Sequence, residues 1–283
     1  MENLLFDLEE THSIQIEMLK KLQQLCKAHD LSYFLAFGSL LGAARDGKII
    51  AWDDSIDVVM PFDHYNSLIH LPKEEWGDDI FVQTFESDPQ YPRCYAKLRN
   101  CNTTLIKSEF SNLDINHGIY INIMPLVDLA DDEGARNRQL KNLRLLKAIT
   151  EGTPAITGGW FLKFYSNLLI HFSPQKMRIR ERDRLYSEIA GYGSGSSRYC
   201  MALAGDISLK LILPKSWFSQ AQECDFEGIK AARPIGWKDW LEMRYGDYMT
   251  APISDLQGNK ISDFVTLNAH KPYTYYKGKT YCI

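Results

Sequence analysis

Residues 38–57 constrain the fold of this chain more than any other stretch, because they join two predicted strands through a turn and a short helix. The apolar run 33–37 ends at Gly38 and Ser39, which is typical of a buried strand followed by a turn. The backbone N–H groups of this turn start the helix, so they can face an anionic phosphate. Glycine at position 38 lets that anion approach the backbone closely. The turn is therefore a candidate phosphate-binding site.

An acidic cluster follows on the second predicted strand. Alternate side chains of an extended strand share a face, so Asp53, Ser55 and Asp57 are expected on one face and Asp54 and Ile56 on the other. Neighbouring carboxylates repel one another unless a cation lies between them. Mg²⁺ or Mn²⁺ held by carboxylates and phosphate oxygens is the usual arrangement for phosphoryl transfer. The cluster predicts a metal site, and a solvated Asp-rich turn is the alternative.

Two later segments carry polar side chains that fit the same site. In residues 95–99, strand alternation places Lys97 and Arg99 on one face, where two cations can clamp a diphosphate. In residues 117–125 the isoleucines are expected to pack inward, with Asn122 on the opposite face. For Lys97 and Arg99 the alternative is ordinary surface charge.

The whole pattern predicts an α+β fold, in which a mixed β-sheet core carries flanking helices and a helical insert. The expected strands beyond the first are residues 56–60, 80–85, 95–99 and 118–124. The expected helices are residues 11–29, residues 131–192 with breaks at Gly158-Gly159 and Ser173-Pro174, and residues 237–245. A Gly/Ser-rich loop is expected at residues 191–197.

The composition argues against nucleic acid as a partner. A formal net charge of −4 and a pI near 6.0 provide no overall positive field. The N-terminal segment lacks the basic and apolar parts of a signal peptide, and no uncharged stretch approaches the ~18 residues of a membrane span. The sequence predicts a cytoplasmic protein, and any membrane contact is expected at the inner face.

Several of these motifs, taken together with the C-terminal ones, resemble the LicD family over most of the chain. The N-terminal motifs are Gly38-Ser39-Leu40-Leu41-Gly42-Ala43-x-Arg45 and Trp52-Asp53-Asp54-x-Ile56-Asp57. The central motifs are Tyr95-Ala96-Lys97-Leu98-Arg99 with Asn102-Thr103, and His117-Gly118-Ile119-Tyr120-Ile121-x-Ile123-x-Pro125-Leu126. The C-terminal motifs are Phe226-Glu227-Gly228, Tyr245-Gly246-Asp247-Tyr248-Met249 and Pro252.

The resemblance implies a nucleotidyltransferase-like catalytic core at residues 1–130, a helical insert at 131–215 and a C-terminal segment at 216–283 that returns to the core. It also implies transfer of a phospho-alcohol, typically phosphocholine, from a CDP-linked donor such as CDP-choline to a cell-surface or lipid-linked glycan. Mg²⁺ would bridge the donor phosphates, and CMP would leave. The donor-binding residues implied are Gly38, Ser39, Arg45, Lys97 and Arg99.

Two positions depart from the family pattern. Position 55 is Ser and position 122 is Asn where the family usually has Asp, so Asp57 is the intact carboxylate, with Asp53 and Asp54 close by. Ser and Asn remain oxygen ligands, but two negative charges are missing, which weakens a site for a hard cation. Three interpretations follow: a transferase with a weakened metal site, an inactive nucleotide- or glycan-binding member, or a true nucleotidyltransferase that uses CTP or ATP.

Two further features fit this interpretation. Residues 160–172 are apolar and aromatic and precede five basic residues within 176–184, which predicts docking on an anionic membrane where lipid-linked glycans reside. The alternative is a buried helix followed by a solvated basic helix. His270 is a candidate base or phosphate ligand, and a purely structural histidine is the alternative.

Overall fold

The computed structural model describes residues 2–193, 197–204, 211–250 and 263–283, with side chains from Leu8 onward. The helices in this part are α1 (Glu2–Ala28), α2 (Phe37–Arg45), α3 (Phe62–Ile69), α4 (Lys73–Trp76), α5 (Glu133–Glu151), α6 (Trp160–Phe172), α7 (Gln175–Ala190) and α8 (Trp237–Tyr245). The strands are β1 (Phe34–Leu35), β2 (Ile56–Pro61), β3 (Ile80–Gln83), β4 (Ala96–Asn100), β5 (Thr104–Lys107), β6 (Tyr120–Leu129), β7 (Tyr199–Ala202), β8 (Ile212–Pro214), β9 (Ala221–Phe226), β10 (Ile229–Pro234) and β11 (Phe264–Asn268).

The main sheet has seven described strands and mixes parallel with antiparallel pairs. The order β1-β2-β6-β4-β3 runs across it, and β7 joins β6 beyond the end of β4, followed by β8. Strand β6 is parallel to β2 and antiparallel to β4. The predicted α+β class is confirmed, and each of the four strands predicted beyond the first is present with bounds shifted by a few residues.

Helix α1 ties the acidic segment to the sheet. It buries Met18, Leu22 and Leu25 at helical spacing, as its apolar pattern predicts. The buried amide of Gln15 donates hydrogen bonds from Nε2 to the carbonyl of Asp54 at 2.7 Å and to a carbonyl at the start of β6 at 2.9 Å. Two segments that are far apart in sequence are therefore held by one side chain.

The helical insert breaks where the sequence predicts. Helix α5 ends at Gly152, which adopts the left-handed conformation of a C-cap with φ 66°, and α6 and α7 are separated at Ser173-Pro174. Both α6 and α7 pack on α5, and their buried side chains join the same core as the sheet. Strands β7 and β8 belong to the main sheet although they lie within the predicted insert at 131–215.

Parts of two predicted features lie outside the described residues: positions 194–196 of the Gly/Ser-rich loop, and Pro252. None of the helices in the described ranges combines the length and apolar character that crossing a membrane requires.

The C-terminal segment packs beside the main sheet. Strand β11 pairs with β5 in a separate two-stranded sheet, while β10 packs on β1 and α8 packs on α2. Beyond β11, Tyr281 packs edge-on against the buried ring of His117, with ring centroids 4.5 Å apart. Burial lowers the pKa of His117 from 6.5 to about 4, although its hydrogen bond to the Leu113 carbonyl acts in the opposite direction.

His117 should make the fold sensitive to mild acid. Its folded pKa is depressed, so its stabilising effect is complete above pH 6.5 and is lost as the pH falls towards 4. Between these limits we expect the free energy of unfolding of the parent to fall by up to about 3 kcal/mol relative to that of His117→Gln. Urea unfolding of both proteins at about pH 7 and about pH 4.5 measures the difference. A difference that does not change with pH would contradict the assignment.

Candidate functional site

Three polar side chains form a row across the main sheet. Asp57 on β2 is in register with Asn122 on β6, which is in register with Lys97 on β4. In-register neighbours on adjacent strands project to the same face. The Asn122 amide Nδ2 donates a hydrogen bond to Asp57 Oδ1 at 2.7 Å. We call these three residues the polar row.

The start of helix α2 is held against the polar row. The amide N–H of Asp57 donates to Ser39 Oγ, and the amide N–H of Ala36 donates to the Asp57 carbonyl, each at 2.9 Å. The N-cap residue is Ala36, whose side chain cannot accept a hydrogen bond from the first turn. The next residue, Phe37, has a φ of 48°, a strained conformation that recurs at ligand-binding sites. The helix therefore presents N–H groups beside Asp57, but Gly38 and Ser39 lie inside its first turn, so the turn predicted ahead of the helix is wrong.

Gly38 is needed because the carboxylate of Asp53 lies directly against it. A Cβ atom at position 38 would stand 2.2 Å from Asp53 Oδ2, which is closer than any real contact. The place next to Gly38, where the sequence predicts the approach of a phosphate, is therefore taken by a carboxylate of the protein itself.

Replacing Gly38 by alanine should move either the Asp53 carboxylate or the first turn of α2. We expect a loss of about 1–3 kcal/mol in the free energy of unfolding, as for other overpacked sites. Gly191→Ala is the matched control, because a Cβ there meets nothing within 4 Å and its φ is −74°. Urea unfolding of both variants checks this, and equal stabilities would show that the site accommodates the methyl group.

Ser55 and Asp54, the other two polar residues before β2, have different partners. Ser55 Oγ donates to Asp57 Oδ1 at 3.3 Å, so these two side chains meet. Asp54 instead forms an ion pair with Lys107 of β5. Burial alone would lower the pKa of Lys107, but the charge of Asp54 raises it above its usual value. Asp54 therefore has a different partner from Ser55 and Asp57, but residues 53–55 precede β2, so the strand alternation on which the prediction rested is absent there.

Both predicted cations are buried, so the surface-charge interpretation is wrong. Lys97 Nζ lies 3.3 Å from the centroid of the Tyr120 ring, and Arg99 Cζ lies 4.5 Å from it. Arg99 donates hydrogen bonds to Gln83 Oε1 at 2.8 Å and to the Gly118 carbonyl at 2.7 Å. Arg99 thus stabilises the sheet, whereas the Lys97 ammonium is held mainly by ring faces.

The charge of Lys97 is costly where it lies. Burial lowers its pKa well below the usual value, and the nearby charges of Arg99 and Lys107 lower it further. An anion bound beside Lys97 would offset this cost. The buried cation is therefore suited to a phosphate.

Arg45 and His270 lie towards the edge of this arrangement. Arg45 is in the last turn of α2, about 12 Å along the helix from its start, and its guanidinium is 4.0 Å from the Asp46 carboxylate. The ring of His270 is 3.2 Å from the carboxylate of Glu10 on α1, and its side chain is 79% exposed. The roles assigned to Arg45 and His270 remain predictions.

The structure adds Tyr95 and Tyr245 to the site. Burial raises the pKa of Tyr245, Arg244 opposes this, and the charges of Asp57 and Asp53 raise it further. Burial also raises the pKa of Tyr95 to about 12, and Asp57 again contributes. Tyr245 begins the C-terminal motif 245–249, which is the signal in the sequence that could have identified it.

Helix α8 delivers Tyr245 by packing on the first turn of α2. The rings of Trp240 and Phe37 meet edge to face with centroids 5.6 Å apart, and Arg244 Cζ lies 4.7 Å from the centroid of the same Phe37 ring. The side chains of Trp240 and Arg244 therefore cover Phe37, the residue with the strained backbone.

The oxygen atoms at the polar row fit a magnesium ion that is shared with a substrate. Within the described ranges, no three His, Cys, Asp or Glu side chains converge on a metal position. However, Asn122 Oδ1 is buried and accepts no hydrogen bond from the described residues. Magnesium is usually held by one or two carboxylates together with substrate phosphates. Asp57 and Asn122 supply one carboxylate and one unsatisfied amide oxygen.

A cavity of about 830 Å³ lies on the Phe110 side of Lys97, and no residue of the polar row lines it. Its wall includes Phe110, and Lys97 Nζ lies 5.9 Å from the centroid of that ring. Arg93, Glu109 and Glu151 also line it, and Arg93 is paired with both carboxylates. The volume is sufficient for a small-molecule substrate.

Two comparisons with known proteins give the relatives of this chain. Residues 30–132 match the family described as LicD/FKTN/FKRP, nucleotidyltransferase domain. Over 270 residues the chain is 26% identical to the lipopolysaccharide cholinephosphotransferase LicD of Haemophilus influenzae, an alignment that covers 88% of this chain and 94% of that protein. The whole polar row lies within the matched domain.

Proposed function

We propose that this chain, which carries a LicD-family nucleotidyltransferase domain at residues 30–132, is a phosphotransferase that attaches a phospho-alcohol such as phosphocholine to a glycan of the lipopolysaccharide type. Similarity to the Haemophilus protein extends over nearly the full length of both chains, which supports a shared type of reaction. A CDP-linked alcohol is the proposed donor.

The observation that carries the proposal is the polar row beside the first turn of α2. Asp57 and Asn122 offer oxygen atoms, Lys97 offers a buried positive charge, and the helix N-terminus offers N–H groups. Anionic phosphates and a divalent cation need these complementary groups at one place.

In the proposed reaction, a hydroxyl oxygen of the acceptor forms a bond to the phosphorus distal to the cytidine. The bond from that phosphorus to the bridging oxygen breaks, and CMP leaves with the electron pair. The hydroxyl proton passes to the carboxylate of Asp53, which lies against the first turn of α2. Lys97 and the start of α2 stabilise the charge on the phosphates.

Asp57, Asn122 and Ser55 would hold Mg²⁺, with Asp53 nearby. When bound, the ion would neutralise phosphate charge and orient the donor. The single carboxylate of this set is the reason to expect weak metal binding in the absence of donor.

The test is acceptor-dependent release of CMP from CDP-choline by the purified protein with Mg²⁺ and a lipooligosaccharide acceptor. The proposal predicts CMP release together with phosphocholine on the acceptor. Release of pyrophosphate from CTP, without CMP from CDP-choline, would instead identify a true nucleotidyltransferase.

A non-catalytic binding protein on the same scaffold is the second candidate. It is favoured by Asn122, whose amide donates to Asp57 where the family usually has a further carboxylate. For this candidate, calorimetry would detect binding of CDP-choline while no CMP is released at any Mg²⁺ or Mn²⁺ concentration.

Replacing Lys97 by methionine should weaken donor binding without destabilising the fold. We expect at least a ~10-fold loss of CDP-choline affinity, about the effect of one charge-assisted contact. The free energy of unfolding should stay equal or rise, because a buried charge is removed. Lys97 is a sharper target than Arg99, since Arg99→Glu would also break the hydrogen bonds to Gln83 and Gly118.

Isothermal calorimetry and urea unfolding of Lys97→Met measure the two effects separately. Lys230→Met is the control, because that lysine is exposed and paired with Asp225. Unchanged affinity in the Lys97 variant would place the donor elsewhere.

A further inference from the structure

The outer face of helix α6 exposes aromatic side chains to solvent. Trp160 is 78% exposed, Phe161 67% and Phe172 79%. Of the fourteen exposed large apolar side chains in the described part of the chain, eight lie within residues 156–179. Exposed apolar side chains that cluster on one surface, rather than being scattered singly, mark an interaction site.

The exposed residues follow the helical period, so they form one continuous stripe. Phe161, Phe164, Leu168 and Phe172 are spaced three and four positions apart on one side of α6. The opposite side, which includes Leu162 and Leu169, is buried on the core. The predicted alternative of a buried helix is wrong, because α6 buries only one of its two faces.

The ionisable groups on α6 and at the start of α7 are basic. Helix α6 contains no acidic residue, and Lys163 and His171 lie on its exposed side. Lys176 is exposed and lies four residues after the end of α6. Further along α7, Arg182 and Arg184 are paired with acidic neighbours, so the net positive charge is concentrated close to α6.

We infer that α6 is an interfacial helix that docks this chain on an anionic membrane surface. Its 13 residues span about 20 Å, so the helix lies along the surface with its rings in the boundary between headgroups and acyl chains. Lys163 and Lys176 then meet anionic headgroups. The inference does not depend on the chemistry at the polar row.

The charges favour a membrane over a second copy of the chain. In a two-fold dimer the same surface faces itself, so the lysines of both copies would be brought into one interface without acidic partners on α6. An anionic bilayer supplies the opposite charge together with an apolar layer.

Vesicle flotation at low salt tests the docking. The full chain is expected to float with vesicles that contain phosphatidylglycerol, and much less with vesicles of phosphatidylcholine alone. Phe164→Ser with Phe172→Ser, and separately Lys163→Glu with Lys176→Glu, should each reduce the floated fraction at least ~10-fold. Ile235→Ser with Met243→Ser is the matched control, because these apolar side chains are exposed on other elements.

Trp160 provides a direct readout of insertion. Quenching of tryptophan fluorescence by brominated lipids should be largely lost in Trp160→Phe, which leaves the other five tryptophans in place. CMP release with a water-soluble acceptor should be the same for parent and surface variants, so failure of docking and failure of the proposed reaction remain distinguishable.

Three results would overturn the inference. One is no flotation of the parent at low salt, and another is equal flotation of the parent and both pairs of surface variants. The third is concentration-dependent dimerisation in sedimentation equilibrium that the phenylalanine variants abolish, without lipid binding by the parent, which would assign the face to self-association.

Discussion

Replacing Asp57 by asparagine is expected to abolish transfer, with a loss of at least ~100-fold in the rate of CMP release, because single electrostatic stabilisers at such sites contribute on this scale. Asp57 is the carboxylate on which Ser55 and Asn122 converge, at 3.3 Å and 2.7 Å. An amide of the same size would keep the shape of the site but remove its charge. The measurement is steady-state release of CMP from CDP-choline with Mg²⁺.

The control for Asp57→Asn is Asp225→Asn, which alters an exposed carboxylate paired with Lys230. The control should retain the parent rate, and circular dichroism should show both variants folded. A folded Asp57→Asn protein with the parent rate would remove Asp57 from the reaction.

Introducing carboxylates at positions 55 and 122 is expected to have the opposite effect and to raise the rate of CMP release. The double change Ser55→Asp with Asn122→Asp should increase Mg²⁺-dependent CMP release at least ~100-fold, because it supplies two further charged oxygen ligands beside Asp57. Asn122 Nδ2 lies 2.7 Å from Asp57 Oδ1, so an aspartate at position 122 faces Asp57 at repulsive range when no cation is present. The double variant should therefore unfold at a lower temperature than the parent without metal and recover with Mg²⁺.

Thermal unfolding with and without Mg²⁺ separates this effect from a general loss of stability. Asn142→Asp is the matched control, since its amide also donates to a carboxylate, that of Glu188 at 2.8 Å, but at an exposed position. Only the double variant should show recovery that depends on metal. Equal rates for the parent and a well-folded double variant would mean that positions 55 and 122 do not hold the ion.

Local elements of this fold could be predicted because their causes lie within a few residues. Helix α8 occupies residues 237–245 as predicted, and the break at Ser173-Pro174 follows from a proline that cannot continue a helix. The separation of Asp54 from Asp57 does not follow from strand alternation, because residues 53–55 precede β2.

The contacts across the site could not be predicted in the same way. The role of Arg99 depends on Gln83, on the neighbouring strand, and on the carbonyl of Gly118. A basic residue on a strand has the same local pattern whether it binds a phosphate or a carbonyl. Only the packing of the segments that carry Arg99, Gln83 and Gly118 shows that the guanidinium of Arg99 makes its hydrogen bonds within the protein.

The sequence by itself determined that a buried strand leads into a short helix, together with the helical period of α6 and the residue types of the polar row, because backbone geometry and side-chain chemistry act locally. The start of that helix at Phe37, before the predicted turn at Gly38-Ser39, was not determined in this way. Tertiary structure alone decided that β2, β6 and β4 align Asp57, Asn122 and Lys97 in one register. It also decided which face of α6 remains in solvent. Register and burial arise from contacts between residues distant in sequence, and hydrophobic burial is not directional, so neither can be obtained from one segment of the chain.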